Sequence, residues 1–265
     1  MRALVHPYPS GLANPTLTAD LTDDDLVAFY APPGPDQRQG NHSRDGLWVR
    51  FNFVSSADGA ATIQGHSDGL GTPADQRLFA LLRRPADVLL VGAGTVRAEG
   101  YGGDLVSVED RAWRESRGLP SHPAVALVSA SLDLDPESTF FTAAPVRPLL
   151  LTTTGADAGR RAALGEVADI VDCGTDLAEP ARIRAVLADH GHRLVHSEGG
   201  PTLLGAFTAA GLADELCLSL SPLLAGGAGG RIIEGAELAR PSGMDLVGLL
   251  EEDGALFLRY RVTAP

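Results

Sequence analysis

The sequence predicts an α/β fold with a mixed, mostly parallel sheet that is covered by helices on both faces. From Trp48 onward, short apolar runs alternate with segments whose apolar residues recur at helical spacing, which is typical of an α/β sheet. The last two apolar runs instead alternate residue by residue with polar positions, as strands with one solvated face do. We therefore expect the sheet to finish with antiparallel strands.

The chain has 265 residues, 44% of them hydrophobic, which is enough for one large α/β domain or two small ones. Residues 1–46 are rich in Pro and Gly, and they predict an irregular N-terminal extension with one short helix at 22–30. Residues 47–265 form the predicted domain.

The predicted strands are short apolar runs bounded by polar or glycine-containing turns. In chain order they cover residues 48–54, 87–92, 124–129, 148–154, 168–174, 193–198, 214–222 and 255–263.

The predicted helices are marked by start and stop signals. The first has Thr72 as N-cap and Pro73 at the first helical position, with leucines along one face. The full set covers residues 72–84, 108–116, 157–164, 180–191 and 201–211.

The composition argues against nucleic-acid and membrane binding. A formal net charge of −13 repels phosphate backbones, and 5% aromatic residues offer few stacking platforms. No apolar run approaches the roughly 20 residues of a membrane span, and residues 1–10 lack a signal-peptide core, so we expect a cytoplasmic protein. Cys173 and Cys217 lack metal-ligand spacing, so free buried thiols and no metal site are expected.

Three turns follow predicted strands at the sheet edge where ligands of such folds collect, namely residues 55–73, 92–104 and 196–204. In the second turn, Gly92 and Gly94 are spaced like the start of a dinucleotide-binding motif, but Arg97 replaces the third glycine. An ordinary glycine turn is the alternative. The next strand runs into Ser129 rather than an acidic residue that would repel a 2′-phosphate, so a bound dinucleotide is expected to be NADPH.

The third turn, HSEGGPTLL, predicts an anion site. Gly199 and Gly200 allow a ligand to approach the backbone, and Pro201 starts a helix. The N–H groups of Thr202, Leu203 and Leu204 are predicted to be free to hold a diphosphate. A plain turn capped by Thr202 is the alternative. Glu198 favours the binding site, because a carboxylate there can orient a polar substrate.

Taken in order, SSADG, then GHSDGLGTPADQRLFALLRRPADVLLVGAGTVRAEGYGG, then SEGGPTLLGAF resemble the reductase domain at the C-terminus of the bifunctional riboflavin-biosynthesis deaminase/reductase family. The resemblance runs from about Trp48 to the end. It implies a dihydrofolate-reductase-like fold and NADPH-dependent reduction of a phosphorylated ribosylaminopyrimidine, with hydride delivered to the ribose C1′. It also implies a homodimer with a small-molecule substrate.

Site positions follow from the resemblance residue by residue. Thr95, Glu99 and residues 200–206 fall on cofactor positions, and Ser67, Arg83 and Glu198 fall on substrate positions. Asp58 matches the Asp of the family's S-x-D-G turn. The residues alone leave open that Arg83 is a solvated helix-end cation, Asp58 a turn-former and Ser67 a loop hydroxyl.

The sequence departs from the family pattern around the expected substrate. Ala60 replaces a frequent lysine, Gly69 replaces a frequent aromatic residue, and residues 100–103 replace a D-P-x-L segment. The zinc signature of the deaminase half, H-x-E with P-C-x-x-C, is absent.

Reduction of the opened imine also needs a proton. We expect Asp58 or Glu198 to supply it if burial raises the pKa of its carboxyl group. Two alternatives stay open, a dihydrofolate-reductase-like enzyme acting on a pterin or another pyrimidine and a non-catalytic NADPH-binding protein.

Overall fold

The computed structural model describes residues 1–5, 20–34 and 46–263. Its strands, in chain order, are β1 (Arg2–Val5), β2 (Trp48–Ser56), β3 (Val88–Gly92), β4 (Ala124–Val128), β5 (Leu149–Thr152), β6 (Asp169–Asp172), β7 (Leu194–Ser197), β8 (Glu215–Ser221), β9 (Met244–Glu252) and β10 (Ala255–Val262). Its helices are α1 (Asp23–Phe29), α2 (Pro73–Arg83), α3 (Ala93–Glu99), α4 (Val108–Ser116), α5 (Thr139–Thr142), α6 (Ala158–Gly165), α7 (Pro180–Asp189) and α8 (Pro201–Ala209).

The strands form one sheet in the order β1-β9-β10-β8-β2-β7-β3-β4-β5-β6. The pairings from β8 through β6 are parallel, and those that join β1, β9, β10 and β8 are antiparallel. The predicted mixed, mostly parallel sheet with an antiparallel end is therefore confirmed.

Helices cover both faces of the sheet, and alternate residues of its strands enter different cores. Val88 and Leu90 of β3 pack in a cluster with α7 and α8, whereas Val91 packs in a second cluster with α3 and α6. This alternation follows from the two-residue period of a strand. It explains why the parallel strands are continuous apolar runs.

Most predicted elements are confirmed, but the second predicted turn, residues 92–104, contains a helix, α3. Gly92, in extended conformation, is the N-cap of α3, and Gly100 ends the helix in the left-handed region at φ 64°. Because α3 has only 7 residues and two glycines at its start, its helical period is too short to recognise in the sequence. β1, α5 and β9 were also not predicted.

The described part of the N-terminal extension packs onto the sheet. The predicted short helix is confirmed as α1, and its C-terminal carbonyl groups meet two buried arginines. Arg50 donates to the carbonyl oxygen of Tyr30, and Arg259 donates to those of Phe29 and Ala31. Glu215 pairs with both arginines. The boundary at residue 47 stays a prediction.

Cys173 and Cys217 are free and buried, as predicted. Within the described ranges, no helix has the length and apolar character needed to cross a membrane.

Candidate functional site

A cavity of about 520 Å³ lies at the carboxyl ends of β2 and β7, between α2 and α3. Each of the three turns predicted at this edge of the sheet contributes residues to the cavity lining. Its lining residues are Asn52, Phe53, Val54, Ala61, Thr62, Ser67, Asp68, Gly71, Asp75, Gln76, Phe79, Arg83, Thr95, Glu99, Tyr101, Gly102, Asp104, Leu105, Glu198, Gly200 and Pro201.

Glu198 is the most heavily bonded carboxylate of the cavity. Its Oε1 accepts from Arg83 Nε at 2.5 Å, and its Oε2 accepts from Arg83 Nη2 at 2.8 Å and from the Tyr101 hydroxyl at 2.7 Å. The side chain of Glu198 is 1% exposed and that of Arg83 14%. Arg83 is thus a buried partner of Glu198 rather than a solvated helix-end cation.

These contacts decide the charge of Glu198. Burial alone would raise the pKa of its carboxyl group, but the Arg83 guanidinium and the Tyr101 hydroxyl outweigh burial and lower the pKa. Glu198 is therefore a carboxylate at neutral pH. The condition for an acid role of Glu198, a pKa raised by burial, is not met, because the Arg83 cation more than compensates for the lost water.

Asp58 lies outside the cavity lining. It accepts hydrogen bonds from the Ser56 hydroxyl and from the N–H groups of Ala225 (3.1 Å) and Gly226 (2.7 Å). These donors lower the pKa of Asp58 to about 2, so the condition for an acid role, a raised pKa, is not met here either. The hydrogen bonds match its alternative reading as a turn-former, and they also tie the turn to residues 225–226.

The two glycine turns touch each other. The N–H of Gly92 donates to the carbonyl oxygen of Gly199 at 2.8 Å, and a cis peptide bond joins Gly199 to Gly200. A Cβ on Gly92 would lie 3.2 Å from the Gly200 nitrogen, and one on Gly200 would lie 2.8 Å from Thr95 Oγ1. Small residues are needed here because two backbone segments meet beside the cavity.

The start of α8 offers fewer free N–H donors than predicted. The N–H groups of Leu203 and Leu204 both donate to the carbonyl oxygen of Gly200, at 3.0 and 3.1 Å, so they are not free. The bond from Leu204 is the ordinary first hydrogen bond of an α-helix. The bond from Leu203 spans three residues, as in a 3-10 helix, and it uses an N–H group that an α-helix normally leaves free in its first turn. Of the three predicted donors, Thr202 is the one whose N–H is left for a ligand.

The remaining predicted residues divide between the cavity and its surroundings. Ser67 and Glu99 line the cavity and contact each other, since the Ser67 N–H donates to Glu99 Oε1 at 3.1 Å. Gly94 lies in α3, where a Cβ would meet nothing within 4 Å. Ser129 is buried, and its hydroxyl accepts from the Leu132 N–H at 3.0 Å in the turn after β4.

Sequence reasoning missed Asp75, which lines the cavity from the first turn of α2. Burial raises the pKa of its carboxyl group, and a hydrogen bond with Ser219 only partly opposes that effect. The sequence signal was an acidic residue two positions after Pro73, which reads as an ordinary acidic helix start. What the sequence did not reveal is that this turn faces a cavity.

Tyr101 and Asp104 were also missed as lining residues. Tyr101 lies in the glycine segment, residues 100–103, that departs from the family pattern, and Asp104 directly follows that segment. A Cβ on Gly103 would clash with the backbone of Ala143. Only glycine fits that contact, so the segment is held against the end of α5 and presents Tyr101 and Asp104 to the cavity.

The cavity brings glycine backbone and two carboxyl groups of different pKa together. Gly200 lines the cavity, Gly92 packs against the Gly200 backbone, and Thr202 offers an N–H at a helix start. Glu198 and Asp75 provide one ionised and one more readily protonated carboxyl group.

Comparison with known proteins gives a family. Residues 47–251 match the family model described as RibD C-terminal domain. Riboflavin biosynthesis protein RibD of Bacillus amyloliquefaciens is 28% identical over 190 residues, which cover 69% of this chain and 48% of that protein. The 2,5-diamino-6-ribosylamino-4(3H)-pyrimidinone 5′-phosphate reductase of Archaeoglobus fulgidus is 25% identical over 181 residues, 68% of this chain and 82% of that one. The chain spans about half the length of the RibD relatives.

A solved structure gives the same result for the fold. A pyrimidine reductase-like protein from Corynebacterium diphtheriae has a TM-score of 0.78 at 23% identity, over 92% of this chain and 100% of that one. This likeness confirms the predicted fold class. Because the family model covers most of the sequence, the resemblance is confirmed as well, and the chain belongs to the RibD C-terminal domain family.

Proposed function

We propose that this chain is an NADPH-dependent reductase of a phosphorylated ribosylaminopyrimidine, the class of compound in the name of the Archaeoglobus fulgidus relative. The observation that carries this proposal is the meeting of two glycine turns beside a cavity with a buried, ion-paired Glu198. Such an arrangement suits a dinucleotide lying against backbone with a polar heterocycle next to it.

The proposed cofactor residues are those of the two turns and the starts of α3 and α8. Gly92, Gly199 and Gly200 allow close approach, and the N–H of Thr202 binds an anionic group. The proposed set also includes Gly94, Thr95, Glu99, Ser129, Pro201, Leu203 and Leu204. Leu203 and Leu204 are included because they lie in the first turn of α8, although their N–H groups are already bonded to Gly200. When bound, NADPH supplies the hydride.

The proposed substrate residues hold the heterocycle at Glu198. Arg83 and Tyr101 fix both carboxylate oxygens of Glu198, which retain lone pairs to accept from ring or ribose donors. Ser67, from the loop before α2, lines the same cavity. A carboxylate held in this way orients a substrate and does not donate a proton.

Asp75 is the proposed proton donor. It lines the cavity that Glu198 lines, and burial raises the pKa of its carboxyl group, so a larger fraction is protonated near neutral pH than for an exposed Asp. In this mechanism Asp75 gives its proton to the imine nitrogen as hydride reaches the ribose C1′. The proposed roles of Asp58 and Glu198 as acids are replaced by this one.

The test is an NADPH oxidation assay with the diamino-ribosylamino-pyrimidinone 5′-phosphate and with its deaminated uracil form, also as the 5′-phosphate. Turnover of either supports the proposal, and the same assay with dihydrofolate tests the alternative substrate. NADPH binding without turnover of any of these compounds would favour a non-catalytic NADPH-binding protein. We also propose a homodimer of two 265-residue chains, which light scattering would test.

A further inference from the structure

His196 is a buried polar side chain that the proposed mechanism does not use. It is 0% exposed, and neither of its ring nitrogens has a hydrogen-bond partner among the residues that the structure describes. Strands covered on both faces normally carry apolar residues, as Leu89 does beside His196 in β3. A buried polar group without a partner destabilises a fold. A histidine at this position therefore points to a role other than filling the core.

The imidazole of His196 lies next to Glu198. The two residues are two positions apart along β7 and the residue that follows it, so their side chains leave the same face of the sheet. His196 Nε2 lies 3.9 Å from Glu198 Oε1. Glu198 lines the cavity, whereas His196 is fully buried and lies outside the lining. His196 thus approaches the carboxylate from the core and leaves its cavity side open to a ligand.

His196 is neutral in these surroundings. Burial lowers the pKa of its imidazole to about 3, and the Glu198 carboxylate, which favours the charged form, does not offset burial. Arg50 and Arg83 lower the pKa further, and Glu215 raises it. A neutral imidazole carries one N–H, and a carboxylate beside Nε2 favours the tautomer with the proton on that nitrogen.

Arg50 suits the same tautomer. It lies directly across from His196 in β2, and its buried Nη1 has no hydrogen-bond partner within the described part of the chain. With the proton on Nε2, the Nδ1 of His196 is an acceptor, which is the kind of group that a guanidinium N–H needs.

We infer that His196 is a positioning residue for Glu198, whose Oε1 it holds from the core side by a hydrogen bond from Nε2 when substrate is bound. This inference rests on the proposed function, because Glu198 is the proposed substrate ligand. The separation of 3.9 Å is about 1 Å longer than a hydrogen bond. Active-site hydrogen bonds are often long without a ligand and shorten in the substrate complex. Since the imidazole stays neutral, His196 orients the carboxylate and transfers no proton.

Two substitutions at His196 and one control test this role. His196→Leu removes both nitrogens and keeps a side chain suited to the core, whereas His196→Gln keeps an N–H donor near the position of Nε2. The control is Thr152→Val, which removes a fully buried hydroxyl from β5 that also lacks a partner among the described residues. For each protein we would measure kcat and KM with the diamino-ribosylamino-pyrimidinone 5′-phosphate, the Kd of NADPH by calorimetry, and the Tm.

His196→Leu should raise KM at least about tenfold, because a hydrogen bond to a charged group is lost. It should change kcat less than about twofold, because the contact exists in the ground state and the transition state alike. His196→Gln should return KM to within about threefold of the native value. The Tm of His196→Leu and of Thr152→Val should stay or rise, since each removes a buried polar group without a partner. The Kd of NADPH should be unchanged in all three variants.

A second measurement uses the native protein. Nitrogen NMR of histidine-labelled protein should show the proton of His196 on Nε2, with the signal assigned by its absence from His196→Gln. This N–H signal should move when the substrate is added to the NADP⁺-loaded protein. Glu198→Gln should weaken the preference for Nε2, because a neutral amide is a poorer acceptor than a carboxylate.

The outcomes separate this inference from the proposed function. A native KM in His196→Leu overturns the inference and keeps the function, and so does a proton on Nδ1 of His196. If the native protein reduces neither 5′-phosphate, the proposed function fails, and the ligand-free NMR comparison with Glu198→Gln decides the inference. A tautomer ratio that this substitution leaves unchanged would then overturn the inference as well.

Discussion

Arg83 and Glu198 form a two-pronged ion pair that joins the last turn of α2 to the turn after β7 at the cavity. Tyr101 adds a third hydrogen bond, and Arg83 also lies over the ring of Phe79, with its guanidinium carbon 4.4 Å from the ring centroid. One contact set thus fixes a helix, a turn and the glycine segment around the cavity. The carboxylate of this pair is ionised, and three hydrogen bonds fix its two oxygens.

Glu198→Gln should destabilise the fold and weaken substrate turnover. The substitution leaves the mostly buried Arg83 without its counter-charge, and breaking such a pair costs about 3–5 kcal/mol. Urea unfolding should show this loss, and calorimetry should show NADPH affinity reduced far less than kcat/KM. The double variant Arg83→Met/Glu198→Gln should be more stable than Glu198→Gln alone. Additive losses would mean that the two residues do not act as a pair.

Asp75→Asn should remove a pH dependence. A proton donor acts in its protonated form, so kcat of the native protein should fall as pH rises through the raised pKa of Asp75. Asn cannot donate a proton, so kcat should be low and flat across that range while NADPH affinity is kept. Asp176→Asn serves as the exposed control and should follow the native profile. A native-like profile for Asp75→Asn would assign the proton to another group.

Most of the fold could be predicted because its parallel strands are apolar runs and its longer helices carry caps. Thr72 and Pro73 mark the start of α2 as the structure has it. β9 escaped prediction because its first residues are exposed, which leaves no clear apolar pattern. β1, with 4 residues, is too short to stand out from the surrounding extension.

The site could be predicted only where a motif marked it. Glu198 was found from the glycine turn that it precedes, Arg83 and Ser67 were found through the resemblance, and the structure brings all three to one cavity. Asp75 was missed because burial, which raises the pKa of its carboxyl group, depends on elements far apart in the chain. Asp58 was misjudged for the same reason, since its donors come from residues 225–226.

Gly94→Ala and Gly92→Ala should locate the cofactor. A Cβ at Gly94 meets nothing within 4 Å, and Ala in a helix is favoured over Gly by up to about 1 kcal/mol, so Gly94→Ala should keep or raise the Tm. If the cofactor lies against this turn, the same substitution should weaken NADPH binding several-fold by calorimetry. Gly92→Ala presses on the Gly200 backbone and should lower both Tm and affinity. Unchanged NADPH affinity in Gly94→Ala would place the cofactor elsewhere.

Protonation of Glu215 at acidic pH should lower the stability of the folded protein. Burial raises the pKa of its carboxyl group, but Arg259 and Arg50 outweigh burial and lower the pKa from 4.5 to about 2. A lowered pKa in the folded state gives stability that is present above pH 4.5 and is lost as pH falls toward 2. The Tm of Glu215→Gln, lower at neutral pH, should therefore decline less between these values. Because the pKa of Asp58 is also about 2, the Tm of both proteins should still decline somewhat over this pH range.

Leu26→Ala should test whether the N-terminal segment is part of the fold. Leu26 in α1 is 0% exposed and packs in a cluster with Leu78 and Leu82 of α2. α1 is also bonded to α2 through Asp23 and Arg77. Truncating a buried leucine costs about 2–5 kcal/mol, so the midpoint of urea unfolding should fall clearly.

The matched control for that experiment is Leu224→Ala, because Leu224 is 83% exposed and its truncation should change the midpoint little. Since α2 carries both Asp75 and Arg83, loosening α1 should also weaken substrate binding. Equal, small effects of the two substitutions would show a detachable extension and support a domain that begins at residue 47. A large effect of Leu26→Ala alone would show that α1 unfolds together with the site. The reason would be that α2, which carries the proposed acid Asp75, depends on its packing against α1.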